Sequence, residues 1–321
     1  MGLKEVCAQI KKSKSFLITT HTNPEGDALG SELAFFRLVR RLGKRAVIVN
    51  EENIPYGYEF LPGVHSIIKY KPKNDISFDC FVALDCSGLA RCAGVSRLNT
   101  KKCPIINIDH HISNERFGDV NLVEPDASSA SQLVYEIYKA LKVSLDADSA
   151  LYLYTGIFTD TGSFRYSNTN AYVHKIVSEL LRYKIDVSQV YKNIYGSIPR
   201  QDIQVLVRIL PGMKFEAAGR VVWFAVPGSL LRGKKINFDL TENILSFGRA
   251  VKDVEVAVLF KENLGEKKEI RVNFRSEGKV DVNKIARYFG GGGHHNASAC
   301  TINGRLDDIR KRVLRKILAE L

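Results

Sequence analysis

The chain has 321 residues, 45% hydrophobic and 26% charged, values that exclude a disordered or low-complexity chain and leave room for two folded domains. Its 47 Lys and Arg against 35 Asp and Glu give a formal net charge of +12, which favours an anionic partner, although a solvated basic surface gives the same balance. No stretch approaches the roughly 20 apolar residues of a membrane span, and six cysteines without a CxxC pair read as reduced, structural thiols of a cytoplasmic protein.

In chain order, the first twenty residues scatter Lys and Glu among apolar positions. The run FLITT at 16–20 predicts a strand, Leu29, Leu33, Phe36 and Val39 mark a helix, and AVIVN at 46–50 predicts a second strand. The runs CFVALD, ending at Asp85, and PIINID, ending at Asp109, are apolar on both faces, as strands of a covered parallel sheet are. Helical periodicity over 129–141, 148–158 and 171–184 supplies the cover, so the first domain is α/β, with a largely parallel sheet flanked by helices.

The segment 187–210 is a helical pattern broken by Gly196 and Pro199. It divides a domain at 1–189 from one at 213–321, with a helical linker at 190–212. The second half predicts strands at 219–226, 253–261 and 268–275, with a polar turn at 262–267 that suggests an antiparallel hairpin. Helices at 237–247, 283–289 and 306–321 complete a smaller α/β unit. No internal repeat is found.

Ligands of an open α/β sheet gather outside the carboxyl ends of its strands. There the chain carries His21, Glu25 and Asp27 after the first strand, Asp85 after CFVALD, and Asp109, His110 and His111 after PIINID, with Asp160 in GIFTDTGSF. Each alone reads more readily as a cap, an ion-pair member or a satisfied buried histidine, Asp27 above all because a helix starts beside it. Together they are prohibitive to bury unless a cation neutralises them. Asp27, Asp85, His110 and Asp160 are therefore expected to stand at successive strand ends and to act as one metal-binding unit. Carboxylates with imidazole and no thiolate suit Mn²⁺ or Mg²⁺ better than a structural zinc. Six such ligands can serve two ions roughly 3.5–4 Å apart with one carboxylate bridging, an arrangement that activates water and stabilises phosphoryl oxygens.

The order His-x-x-x-Asp/Glu-x-Asp, Asp, Asp-His-His, Asp resembles the four signature motifs of the DHH phosphoesterase superfamily. The resemblance implies that His21 and Glu25 hold one manganese, that Asp27, His110 and Asp160 hold the other, and that Asp85 bridges them. It implies that Asp109 orients the motif and that His111 faces the substrate phosphate, where it steadies charge or gives a proton to the leaving oxygen. Glu25 departs from the family, which usually has Asp there.

The segment RYFGGGGHHNASAC places Gly290 to Gly293 before His294 and His295. It is no dinucleotide fingerprint, since a predicted helix precedes it. Backbone N–H groups of such a run can form an anion-binding nest, and a flexible hinge is the alternative. Upstream, EIRVNFRSEG turns Ile270, Val272 and Phe274 one way and Arg271, Asn273 and Arg275 the other. Arg275-Ser276 followed by GGGGH resembles the RS and GGGH elements of the DHHA1 domain. This implies that Arg275, Ser276, Gly292, Gly293 and His294 grip a substrate phosphate across a cleft from the metals. Cys300 stands where a glycine is common, and is expected to narrow the pocket floor.

Over nearly its whole length the chain is similar to the compact bacterial nanoRNase/pAp phosphatases. That similarity implies a manganese enzyme, with two ions and magnesium as the alternative. It would cut short RNA or DNA oligonucleotides, di- to pentanucleotides, to nucleoside 5′-monophosphates and convert 3′-phosphoadenosine 5′-phosphate (pAp) to AMP. No membrane is involved, and a homodimer is compatible. A soluble phosphodiesterase for pApA or c-di-AMP is the rival within the class. From another class, the rival is a nucleic-acid-binding module with a degenerate site.

Overall fold

A computed structural model describes residues 2–72, 75–231, 240–263 and 269–321 and divides the chain into two units, Met1–Ser197 and Ile198–Leu321. The first unit runs α1 (Gly2–Lys12), β1 (Ser15–Thr19), α2 (Gly26–Arg41), β2 (Arg45–Asn50), β3 (Ile68–Lys69), β4 (Cys80–Leu84), β5 (Ile105–Asp109) and β6 (Val120–Val123). It continues with α3 (Ala130–Leu141), α4 (Ala147–Asp160), α5 (Ala171–Leu180) and α6 (Val187–Tyr195). Its six strands lie in the order β3-β2-β1-β4-β5-β6, all parallel. Every residue of β1 and β4 is buried, the signature of strands covered on both faces. The order steps one way from β1 to β2 and the other way from β4 to β5, so a crevice opens at the carboxyl ends of β1 and β4. His21 and Asp85 follow those two strands.

Three features of this unit were not legible as elements. The Lys-rich start is a helix, α1, because Val6, Cys7 and Ile10 share one buried face. The edge strands β3 and β6 are too short to announce themselves. The helices that were expected carry the caps their sequences offer: Ser129 Oγ accepts from Gln132 N, Asp146 and Ser149 form a capping box, and Asn170 and Asp186 cap α5 and α6. Helices α2 and α4 approach closely through glycine, since a Cβ at Gly30 would lie 2.4 Å from Tyr152 O. The segment 187–210 is two helices broken at Gly196 to Pro199. Of these, α6 packs Val190 and Ile194 into the first core, and α7 packs Val205, Leu206 and Ile209 into the second unit.

The second unit runs α7 (Arg200–Ile209), β7 (Lys214–Glu216), β8 (Val221–Val226), α8 (Gly228–Leu231), α9 (Thr241–Arg249), β9 (Val256–Glu262) and β10 (Glu269–Ser276). Then come α10 (Val282–Tyr288), β11 (Gly292–Gly293), β12 (Ala297–Asn303) and α11 (Leu306–Leu318). The sheet order is β11-β12-β10-β9-β8-β7, with β8 and β9 parallel and the other neighbours antiparallel. Strand β10 alternates as its sequence does, burying Ile270, Val272, Phe274 and Ser276. One face of the sheet packs on α10 and α11 through Ile285, Val313 and Ile317, the other on α7 and α9 through Leu206, Ile244 and Leu245. Most of the turn expected at 262–267, and the start of the helix expected at 237–247, lie outside the described residues. Among the described residues no helix is long and apolar enough to cross a membrane.

Candidate functional site

At the end of β1, Thr20 Oγ1 donates to Leu84 O at 2.9 Å and ties the loop to β4. His21 Nδ1 lies 2.7 Å from Thr22 O. A carbonyl only accepts, so Nδ1 carries the proton and Nε2 is turned on Asp85 Oδ2, 3.4 Å away. Asp85 itself sits just past β4 with φ 53, a left-handed conformation that Asp tolerates better than bulkier side chains. His110, just after β5, repeats the device of His21. Its Nδ1 lies 3.2 Å from Ala127 O, and its Nε2 lies 3.7 Å from Asp27, 3.6 Å from Asp85 and 3.3 Å from Asp160.

Two members of the cluster are not strand-end residues. Asp27 is the second residue of α2, yet it does not cap that helix. Its carboxylate accepts from Ala130 N at 2.6 Å and Ser131 N at 2.9 Å, so the positive N-terminus of α3 holds it. Asp160 is the last residue of α4, at the negative end of that helix dipole, where a carboxylate is unfavourable without a cation. The donor atoms of Asp27, His110 and Asp160 lie within 4.8 Å of one another, as do those of Asp85, Asp109, His110 and His111.

The electrostatics report the missing charge. Burial, with the neighbouring Asp85 adding to it, pushes the Asp27 carboxyl up to about 6. Burial pushes Asp160 up to about 7, opposed by His110 and reinforced by Asp27 and Asp85. Burial also acts to raise Asp85, but the imidazoles of His110, His21 and His111 hold it well below the usual carboxylate range. For His110 burial works against the charge, and the carboxylates of Asp160, Asp85 and Asp27 overcome it and hold the imidazole well above its ordinary value. Protons thus stand in where the cluster calls for positive charge. Among the described residues no hydrogen-bond donor meets the buried Asp85 Oδ1. Hard carboxylate oxygens and imidazole nitrogens around that orphaned atom fit a divalent cation.

Beside the cluster, Asp109 at the end of β5 is fully buried. Its Oδ1 accepts from His111 Nδ1 at 2.7 Å, and its Oδ2 accepts from Asn114 Nδ2 at 2.5 Å. Burial opposes charge on His111, but the Asp109 carboxylate, with Asp85, raises its pKa. The contact fixes the ring, with its Nε2 directed away from Asp109. Glu25 stands apart: it is exposed, occupies the N-cap position of α2 without a side-chain cap, and belongs to neither convergent group among the described residues.

In the second unit the register pairs Arg275 with Ala297, Gly293 with Ser298 and Gly292 with Ala299. Arg275 and the Gly292–His294 turn are thereby brought to one end of the sheet. The glycine run is not a hinge, because Gly292 and Gly293 form a strand and a Cβ at Gly291 would lie 2.2 Å from Ala299 O. Gly293, at φ 141, needs a conformation that side chains rarely adopt. Two side chains near this end of the sheet turn inward. The Ser276 hydroxyl is buried and closes the local turn by donating to Val280 O at 2.7 Å and accepting from Gly278 N, so it is not presented to an anion. Cys300 faces the core beside Val272, its thiol pushed up to about 12 by burial, because β12 turns every second side chain inward and position 300 falls on that face.

Comparison with known proteins decides the family. Residues 15–157 match the DHH family, N-terminal domain, and residues 220–319 match the DHHA1 domain. A bifunctional oligoribonuclease and PAP phosphatase NrnA from Thermus thermophilus is 31% identical over 309 residues, which cover 95% of this chain and 89% of that protein. The chain belongs to the DHH family. A protein of the same name from Bacillus subtilis is 25% identical, covering 93% of this DHH protein and 92% of its own length. In fold it resembles an exopolyphosphatase-related protein from Bacteroides fragilis, with TM-score 0.87 at 24% identity, covering 99% of this chain and 95% of that one. As a DHH protein it is a phosphoesterase, and its acidic and histidine cluster is the place for a divalent metal.

Sequence reasoning missed two residues that position the DHH site. Asn114 donates to Asp109 and also lies 3.1 Å from Cys86 O and 2.9 Å from Asn107 Oδ1, bracing the dyad against the turn that carries Asp85. Gly156 lies inside α4, where an added Cβ would come within 1.9 Å of Ser131 Oγ and 2.7 Å of Asp27 Oδ1. Glycine inside a helix costs about 1 kcal/mol against alanine, and that anomaly was the available signal.

Proposed function

We propose that this DHH protein is a manganese-dependent phosphodiesterase and phosphatase that hydrolyses di- to pentanucleotides to nucleoside 5′-monophosphates and pAp to AMP. The reading is carried by the convergence of the carboxylates of Asp27, Asp85 and Asp160 on the His110 imidazole, a gathering of acidic groups that a cation would neutralise. It is supported by the names of the Thermus thermophilus and Bacillus subtilis relatives. In this reading His21 and Glu25 would hold one ion and Asp27, His110 and Asp160 the other, and Asp85, with an oxygen toward each of His21 and His110, would serve both. Of these Glu25 has the least geometric support. The ions supply charge at the phosphoryl oxygens and make water a competent nucleophile near neutral pH.

The chain's own groups do the rest. His111, oriented by Asp109 through Nδ1, would give a proton or a hydrogen bond to the leaving oxygen from Nε2. Arg275 with the Gly292–His294 turn of the DHHA1 unit holds a further phosphate of the substrate. The test is a product-resolved assay of the purified protein on pAp, pApA, c-di-AMP and an RNA length ladder, with and without Mn²⁺. The expected result is Mn²⁺-dependent release of nucleoside 5′-monophosphates, with higher kcat/KM on 5′-phosphorylated di- to pentanucleotides than on an unstructured 24-mer. Preferred turnover of c-di-AMP would replace the substrate, and retention of RNA without turnover would make the protein a binding module.

A further inference from the structure

We propose that Glu242 is a positioning residue that fixes Arg275 for the substrate phosphate, an inference that rests on the phosphate-binding role given to Arg275 above. On its own sheet Arg275 stands between small residues. Its cross-strand neighbours are alanines on both sides, Ala257 on β9 and Ala297 on β12. Alanines give a long, rotamer-rich side chain little to pack against within the sheet.

Helix α9 supplies the support. From its first turn, Glu242 Oε2 accepts from Arg275 Nε at 3.0 Å and lies 2.9 Å from Nη2, while Arg275 Nη1 donates to Phe274 O at 3.0 Å. The guanidinium is thus held along its side edge and by the neighbouring backbone carbonyl, which sets its plane. Glu242 is itself fixed. Its Oε1 accepts from Ser246 Oγ at 3.3 Å and lies 4.0 Å from Arg249 Nη1, and Arg249 Nε is bound to Glu277 Oε1 at 2.6 Å. A chain of alternating charges, Arg275, Glu242, Arg249 and Glu277, therefore connects the end of β10 to both ends of α9. The Arg275 and Glu242 side chains are mostly covered, with 18% and 27% of their surface exposed, so water screens the pair only in part and its geometry is held.

The experiment compares KM and kcat on pAp, which has two phosphates, with turnover of bis-p-nitrophenyl phosphate, which has one, in Arg275→Ala, Glu242→Gln, Glu242→Ala and the Glu242→Ala/Arg275→Ala double variant. Glu242→Ala should raise KM for pAp about tenfold and Glu242→Gln, which keeps an acceptor, about threefold, with kcat and the small substrate within about twofold. The double variant should be no worse than Arg275→Ala alone, the non-additivity expected when one residue acts through another. A circular dichroism spectrum close to that of the parent shows that each variant is folded. A raised KM in Arg275→Ala beside an unchanged KM in Glu242→Ala would overturn the inference and leave the role of Arg275 standing. A lowered KM in Glu242→Ala would overturn it differently, making Glu242 a competitor of the phosphate. Additive losses would mean separate roles and also overturn it. An unchanged KM for pAp in Arg275→Ala would instead remove the reading on which the inference stands.

Discussion

At the scale of single residues, the site is a problem in charge. Asp85 touches the environment of three histidines, and among the described residues no hydrogen-bond donor meets its Oδ1. Asp85→Ala should therefore remove bound metal and lower hydrolysis by about a thousandfold or more, since the charge stabilisation that the ions supply is worth several kcal/mol. Its circular dichroism should stay close to that of the parent, and near-normal turnover would sink the assignment. The raised carboxyls carry a second consequence. Asp27 and Asp160, at about 6 and about 7, and the raised His110 and His111 all bind protons more tightly in the folded state. Stability of the metal-free protein must then fall as pH rises through this range, because the folded state holds protons that the unfolded state has lost. Asp85 and Asp109 are lowered, so their contribution is already complete above the ordinary carboxylate range and does not change from pH 5 to 8. A divalent ion replaces those protons. The rise in Tm on adding Mn²⁺ should be larger at pH 8 than at pH 5.5 by differential scanning fluorimetry, and an equal or smaller rise at pH 8 would place the metal elsewhere.

At the scale of elements, positioning comes from helix ends and close helix contacts more than from strands. The N-terminus of α3 holds the Asp27 carboxylate, and α4 ends on Asp160. Helices α2 and α4 can bring these two carboxylates to one histidine only because Gly156 has no side chain. Gly156→Ala raises helix propensity yet forces a Cβ against Ser131 and Asp27. The clash should outweigh the gain, with a net destabilisation of about 1–3 kcal/mol and a loss of metal affinity measurable by titration calorimetry. A variant that is more stable and binds metal normally would show that the contact gives way freely. In the DHHA1 unit the same logic applies to the glycine run, whose backbone must lie flat against Ala299 and Ser298.

At the scale of the whole molecule, the net charge of +12 sets how substrates arrive. Screening weakens attraction between exposed charges over about 8 Å at physiological ionic strength, so polyanionic and neutral-bodied substrates should respond differently to salt. Raising NaCl from 50 to 200 mM should raise KM for a pentanucleotide severalfold, while KM for bis-p-nitrophenyl phosphate changes little. Parallel changes in both would confine the basic charge to solubility.

Much of this protein is local in its causes, and that part was legible in the chain. Apolar runs on both faces mark β1, β4 and β5, and the strand ends display His21, Asp85 and His110. The alternation of β10 puts Arg275 on the face opposite Phe274, because a period of two follows from backbone geometry alone. Caps at Ser129, Asn170 and Asp186 announce their helices. What depended on contacts distant in sequence was not legible. Strand β12 reads as loop, since Ala297, Ser298, Ala299 and Cys300 have weak strand preference, and it becomes a strand through pairing with β10. Asp27 reads as a cap for the helix it begins, but it binds α3, a hundred residues away in the chain. The inward turn of Ser276 and Cys300, the bracing by Asn114 and the hold of Glu242 on Arg275 were decided likewise. Each is a matter of which side chain meets which partner once the sheets and helices have packed, and a linear pattern carries that information only where the partners are neighbours.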